Sequence, residues 1–166
     1  MKRWILGTLL MITLLVAGSV DLFASEQNTQ HSGNEGNVWT TMDGTDYFTC
    51  PVMKGEGKVG QHAGTSVIDN VTYYHCCPPC QGPFRKDPEK WLGELFLPAN
   101  IERVDAQGLK HFVDPVNGMH GDVTEKTPVY DHNGQRWYFT SKRSMKRFKK
   151  NPEKYSSTIP THHAEH

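Results

Sequence analysis

Hydrophobic and polar positions divide the N-terminal part of the chain into an apolar run and a polar spacer. The run Trp4–Val20 is interrupted only by Thr, Gly and Ser, and it follows the basic start Met1-Lys2-Arg3. A basic start, an apolar core and a small residue such as Ala24 are typical of a secretory signal. We therefore expect residues 1–24 to be a signal peptide cleaved near Ala24, or an N-terminal anchor if it is not cleaved. The protein would then be periplasmic or secreted, with no other contact with the membrane.

The spacer begins with Ser25–Asn37, which contains no aliphatic or aromatic residue. Such a segment buries too little apolar surface to offset the entropy lost on ordering. We expect a flexible linker over residues 25–44, with the first hydrophobic side chains of the folded part at Val38 and Trp39.

Beyond the spacer, two stretches of the chain are similar at a constant offset of 64 residues. Cys50-Pro51-Val52 corresponds to Asp114-Pro115-Val116, and the aromatic and basic segment 84–91 corresponds to 148–155. Two blocks that share one offset indicate an internal repeat. The predicted organisation is a first module at 45–97, a linker at 98–108, a second module at 109–158 and a His-rich tail at 159–166.

Each module is predicted to fold as a β-hairpin followed by short helices. Asn133-Gly134 lies between β-rich runs and is typical of a tight hairpin turn. Asp87-Pro88 and Asn151-Pro152 combine an N-cap residue with proline at the first helical position. The hairpin strands are expected at 65–70 with 71–76 and at 128–132 with 135–140, and the helices at 80–86 and 142–150. The predicted class is α+β, with two small repeated modules of treble-clef or zinc-ribbon type.

Composition excludes several classes of function. The 166 residues include 18 basic and 18 acidic side chains, and the pI is near 7.1. A nucleic-acid binder needs a basic excess, and a large multilayer enzyme needs a longer chain. The sequence contains no Ser/His/Asp order, phosphate-binding loop or paired carboxylates, so we expect no catalytic activity.

All four cysteines fall in the first module. Cys76 and Cys77 end the second hairpin strand, Cys80 opens the following helix, and Cys50 precedes the hairpin. Thiolates from these places can converge on one soft metal ion. Four tetrahedral thiolates suit Zn²⁺, whereas two or three suit Cu(I).

Other side chains are weaker candidates for metal ligands. Met53 and His75 lie close to cysteines in sequence, but His75 should face away from Cys76 because neighbours on a strand point in opposite directions. A His-rich tail is a compositional indication of an accessory site, and its histidines are His162, His163 and His166.

Two alternatives involve no metal. Four cysteines allow three disulfide pairings, and the expected one joins Cys50 to Cys76 or Cys77, with Cys80 bonded to the other. Cys77-Pro78-Pro79-Cys80 also has the C-x-x-C spacing of a dithiol oxidoreductase, although the βαβ pattern expected around that motif is missing.

The run Tyr73–Cys80, followed by Phe84 and Asp87–Trp91, resembles the YHS domain and the related TRASH domain. The second module resembles the same families through Asp114–Met119, Tyr138–Ser141 and Asn151–Tyr155. The resemblance implies a heavy-metal-binding module of about 45 residues that accompanies copper-handling ATPases and metal sensors. It therefore implies a copper ion, or alternatively zinc, as cofactor, and a metal-transport or metal-chaperone protein as partner.

The resemblance also assigns ligands and marks departures. The family C-x3-C pair maps onto Cys76 and Cys80. The early family cysteine position holds Met53, while Cys50 lies three residues earlier, so either residue could supply the third ligand. In the second module the family cysteine positions hold Asn117, Thr140 and Ser144. Because amides and hydroxyls are poor ligands for soft ions, the second module should have lost the site and kept the fold.

Together these patterns indicate an exported protein that binds a heavy metal for storage, delivery or sensing. The alternatives are a structural or interaction module held by disulfides, and a dithiol redox protein.

Overall fold

The computed structural model describes residues 34–158, which form a mixed α+β fold of short elements. A first segment, residues 37–92, contains β1 (Val38–Thr40), β2 (Asp46–Thr49), β3 (Glu56–Lys58), β4 (Gly64–Ile68), β5 (Val71–His75), a 3-10 turn (Pro78–Cys80), α1 (Gln81–Lys86) and α2 (Pro88–Leu92). A connecting strand, β6 (Leu97–Pro98), follows. A second segment, residues 100–156, contains β7 (Ile101–Val104), β8 (Lys110–Val113), β9 (His120–Asp122), β10 (Val129–His132), β11 (Gln135–Tyr138), α3 (Lys142–Lys150) and α4 (Pro152–Ser156).

The two predicted hairpins are confirmed, and local turn chemistry explains both. β4 pairs antiparallel with β5, and the turn residues Asp69 and Asn70 have φ angles of 49° and 64°. β10 pairs antiparallel with β11 through Asn133 and Gly134, with φ angles of 50° and 72°. Positive φ at both central residues matches the right-handed twist of the strands, and Asn, Asp and Gly tolerate it best.

The predicted helices are also present, and each hairpin leads into one. α1 buries Phe84 and α3 buries Phe148, and both phenylalanines are fully buried. The side chains of Asp87 and Asn151 accept hydrogen bonds from the third residue of α2 and α4, and proline follows each of them. These contacts satisfy backbone N–H groups that the first turn of a helix leaves unpaired.

A three-stranded antiparallel sheet precedes each hairpin: β1-β2-β3 in the first segment and β7-β8-β9 in the second. A buried asparagine at the start of each segment joins this sheet to the hairpin. Asn37 Nδ2 donates to the carbonyls of Thr49 (2.9 Å) and Tyr74 (2.8 Å), and its Oδ1 accepts from Tyr74 N–H (2.9 Å). In the second segment Asn100 makes the corresponding bonds, to the carbonyls of Val113 (2.7 Å) and Tyr138 (2.8 Å) and from Tyr138 N–H (2.9 Å).

Buried residues of both segments form one hydrophobic core cluster, the shared core, within a single compact unit. Trp39 of β1 packs with Ile101, Phe112 and Tyr138 of the second segment. β6 also pairs parallel with β11. The segments are therefore not independent globules.

Two strands lie within the ranges that were predicted as linkers. β1 falls within residues 25–44 and β7 within 98–108. Both are ordered because they pair with β2 and β8 and bury Trp39 and Ile101. The predicted signal peptide and the tail at 159–166 lie outside the described residues. Within residues 34–158, no helix is long and apolar enough to cross a membrane.

Candidate metal centre

Three cysteines converge in the first segment. The Sγ atoms of Cys50, Cys76 and Cys80 all lie within 4.8 Å of one another, and we refer to these residues as the sulfur triad. Cys50 follows β2, Cys76 follows β5, and Cys80 ends the 3-10 turn that leads into α1. The hairpin, the helix and an earlier loop thus each contribute one sulfur.

The loop that carries Cys50 is closed by its own backbone. Cys50 N–H donates to the carbonyl of Gly55 (2.8 Å), and Lys54 N–H donates to the carbonyl of Cys50 (2.9 Å). A Cβ atom at Gly55 would lie 3.3 Å from Cys76 Sγ, tighter than an ordinary contact. Glycine at this position therefore lets the loop approach the hairpin cysteine.

The sulfur triad lies in an apolar environment. Cys50 and Cys80 are buried and pack with Phe48 and Tyr74. Burial raises the pKa of the Cys76 thiol above its usual value, and the neighbouring Cys50 raises it further. Because metals bind the thiolate, an ion must displace protons from this site.

Cys80 is also bonded to Cys77. The two residues form a disulfide with a Cα–Cα distance of 5.7 Å, whereas Cys50 and Cys76 are free. The Cys77–Cys80 bond is one of the two expected for Cys80, but the second expected bond, from Cys50 to Cys76, is not formed. Cys77 is the N-cap of the 3-10 turn and Cys80 is its last residue, so this single turn brings the two residues together.

The donor set fits a soft ion once Cys80 is a thiolate. Three sulfurs bound at about 2.3 Å to one ion lie roughly 4 Å from one another. The observed limit of 4.8 Å needs only a small contraction to reach this geometry. An all-sulfur, largely buried donor set favours copper(I) or zinc over hard cations such as Mg²⁺.

The remaining candidate ligands are not members of the sulfur triad. Met53 is 66% exposed. His75 is buried on the other face of β5, where Nε2 lies 2.9 Å from Ser66 Oγ and the ring contacts Phe84. Burial and the nearby Arg85 lower the pKa of His75. The tail residues His162, His163 and His166 lie outside the described residues.

The second segment holds a hydrogen-bonded cluster at the positions that correspond to the sulfur triad. Asp114, Thr140 and Ser144 lie 64 residues after Cys50, Cys76 and Cys80, respectively, and we refer to them as the hydroxyl cluster. Asp114 Oδ2 accepts from Thr140 N–H (2.8 Å), from Thr140 Oγ1 (2.8 Å) and from Ser144 Oγ (2.6 Å). Asp114 and Ser144 are buried.

Asp114 was not among the predicted site residues. The family resemblance gives the early position of the second segment to Asn117, whose Nδ2 donates to Thr140 Oγ1 (3.2 Å). The constant offset already paired Asp114 with Cys50 and was the signal that could have found it.

Comparison with known families now identifies part of this arrangement. The YHS domain model matches residues 112–158, which cover β8 to α4. A YHS domain is thus found in this part of the chain. The match supports a metal-binding role, but it covers the hydroxyl cluster, and the sulfur triad lies outside it. No curated protein and no solved structure matches the chain.

Proposed function

We propose that this chain is an exported protein that binds a soft metal ion through the sulfur triad. The function is storage, delivery or sensing of the ion, without catalysis. The observation that carries the proposal is the convergence of three sulfurs from separate elements of the fold. The YHS match in the adjacent part of the chain supports it independently.

Copper(I) is the preferred ion and zinc the alternative. Structural zinc sites almost always have four protein ligands, whereas two or three thiolates suit copper(I). Among the described Cys, His, Asp and Glu side chains, only the three triad sulfurs lie close enough together to hold an ion, and Met53 is largely exposed. The donor count therefore favours copper(I).

We also propose that the first and second segments are two copies of one small module of treble-clef or zinc-ribbon type, the first of them TRASH-like. The same order of sheet, hairpin and helices supports this proposal. The corresponding hydrogen bonds of Asn37 and Asn100 support it as well. The second copy would contribute packing and a surface for a metal-transport or metal-chaperone partner.

A second candidate function is a structural or interaction module held by a disulfide, and the Cys77–Cys80 bond favours it. Under this alternative the protein folds and binds its partner identically with and without metal, and Cys50 and Cys76 serve only as packing.

Metal analysis of the reduced full-length protein separates the two functions. We expect one copper(I) ion per chain under nitrogen, measured by elemental analysis after desalting. Cys76→Ser should abolish retention because it removes a triad ligand. Met53→Leu is the matched control, which should retain one ion because the exposed thioether lies outside the triad. Absence of both copper and zinc from the reduced wild-type protein would overturn the metal-binding function.

A further inference from the structure

Cys80 belongs to two arrangements that cannot exist at the same time. Its Sγ is bonded to Cys77, and the same atom lies within 4.8 Å of the Cys50 and Cys76 sulfurs. A disulfide sulfur has no thiolate charge to give to a metal ion. The oxidised protein therefore presents two thiols to an ion, and the reduced protein presents three.

The second segment has a side chain with the same two neighbours as Cys80, which indicates that this arrangement is a property of the fold. Ser141 and Ser144 occupy the positions that correspond to Cys77 and Cys80. Their Oγ atoms lie 3.1 Å apart, and Ser144 Oγ also donates to Asp114, which corresponds to Cys50. Ser141 is the N-cap of α3, and an N-cap side chain lies beside the residue three positions on. In both segments, then, a buried side-chain atom, Sγ of Cys80 or Oγ of Ser144, lies between the side chain of the N-cap residue and the side chain from the earlier loop.

We propose that the Cys77–Cys80 disulfide is redox-active and gates the metal site, with a dithiol as the reductant that opens it. This inference rests on the proposed function, because it names the condition under which the sulfur triad can bind its ion. The difference in exposure between the two sulfurs gives the direction of attack: Cys77 is half-buried, whereas Cys80 is 2% exposed.

The chemistry balances as an ordinary thiol–disulfide exchange. A thiolate of the dithiol attacks Cys77 Sγ, the Cys77–Cys80 bond breaks, and Cys80 leaves as a thiolate. The second thiol of the dithiol then attacks the mixed disulfide, releases Cys77 and closes the oxidised reagent. Two electrons pass from the dithiol to the protein. The Cys80 thiolate then joins Cys50 and Cys76 in binding the ion, the protons of the Cys50 and Cys76 thiols are released to solvent, and Cys77 takes up a proton.

Copper(I) binding to the full-length protein in two redox states tests the gate. One sample keeps its disulfide, and the other is reduced with dithiothreitol, which is removed under nitrogen. Binding is measured by competition with a chromogenic copper(I) chelator. Alkylation and mass measurement after each titration count the free thiols, expected to be two and four.

We expect the oxidised protein to bind copper(I) about 100-fold more weakly, because one of three thiolate ligands is lost. Cys77→Ser, kept under nitrogen, should bind as tightly as the reduced wild type without any reductant. Equal affinity in the two redox states, or a Cys77→Ser protein that still needs the dithiol, would overturn the gate alone. Failure of the reduced wild type to bind would overturn the metal-binding function and the gate with it.

Discussion

Replacing the buried asparagines that start the two segments should destabilise the protein by similar amounts. Asn37→Ala leaves two backbone carbonyls and one backbone N–H without their hydrogen-bond partners, and Asn100→Ala does the same in the second segment. An unsatisfied buried polar group costs about 1–3 kcal/mol. Local relaxation should keep the cost of each of the three unsatisfied groups near the lower limit of about 1 kcal/mol. Either substitution should therefore lower the free energy of unfolding by about 3 kcal/mol.

This loss should be visible as a shift of the melting temperature. Unfolding entropy near 2.1 cal/mol/K per residue, applied to the residues 34–158, gives a shift of roughly 10 °C. Urea unfolding followed by tryptophan fluorescence, with the protein reduced and free of metal, measures the free energy directly. Gln61→Ala is the control because Gln61 is exposed, and it should change stability by less than about 0.5 kcal/mol. A loss below about 1 kcal/mol for either asparagine, or a difference above about 2 kcal/mol between them, would refute their equivalent roles.

Three further predictions address the core, pH and the hydroxyl cluster. Trp39→Ala should lower the free energy of unfolding by about 3–5 kcal/mol. It should also increase amide hydrogen exchange in β8 and β11, because Trp39 packs against residues of the second segment. Unchanged exchange in these strands would contradict a shared core. Burial lowers the pKa of His75 below 6.5. The unfolded chain therefore binds more protons than the folded one, and the free energy of unfolding should fall as pH drops below about 6.5. In urea titrations at several pH values, His75→Gln should remove this dependence of stability on pH. Copper(I) retention of the reduced protein should rise from one ion to two per chain in the triple variant Asp114→Cys, Thr140→Cys and Ser144→Cys. Retention of a single ion by a folded variant would show that the two segments differ in geometry.

The sequence predicts the hairpins and helices well because their signals are local. Asn133-Gly134 needs only the twist of its own strands, and Asp87-Pro88 needs only the first turn of its own helix. The short strands β1 and β7 carry no periodicity of their own, since each has three or four residues. These strands are ordered because they pair with β2 and β8 and pack in a core that brings distant residues together.

The candidate site was likewise predicted only in part from the sequence. The positions of Cys76 and Cys80 around a strand end and a helix start predict that their sulfurs meet. The bond between Cys77 and Cys80 was one of two pairings left open for Cys80, because spacing alone does not decide between them. Asp114 was missed because a carboxylate does not resemble a cysteine as a ligand, although a buried carboxylate can receive the hydrogen bonds of two hydroxyls.

The shared core limits how the protein can be dissected. A fragment cut at the boundaries of the YHS match, residues 112–158, would lack Asn100 and β7. It would leave the carbonyl of Tyr138 unpaired and the Phe112 side chain without Ile101 and Trp39 beside it. A piece that retains all of these contacts must also include Trp39 of β1, so the second segment should be expressed and studied together with the first.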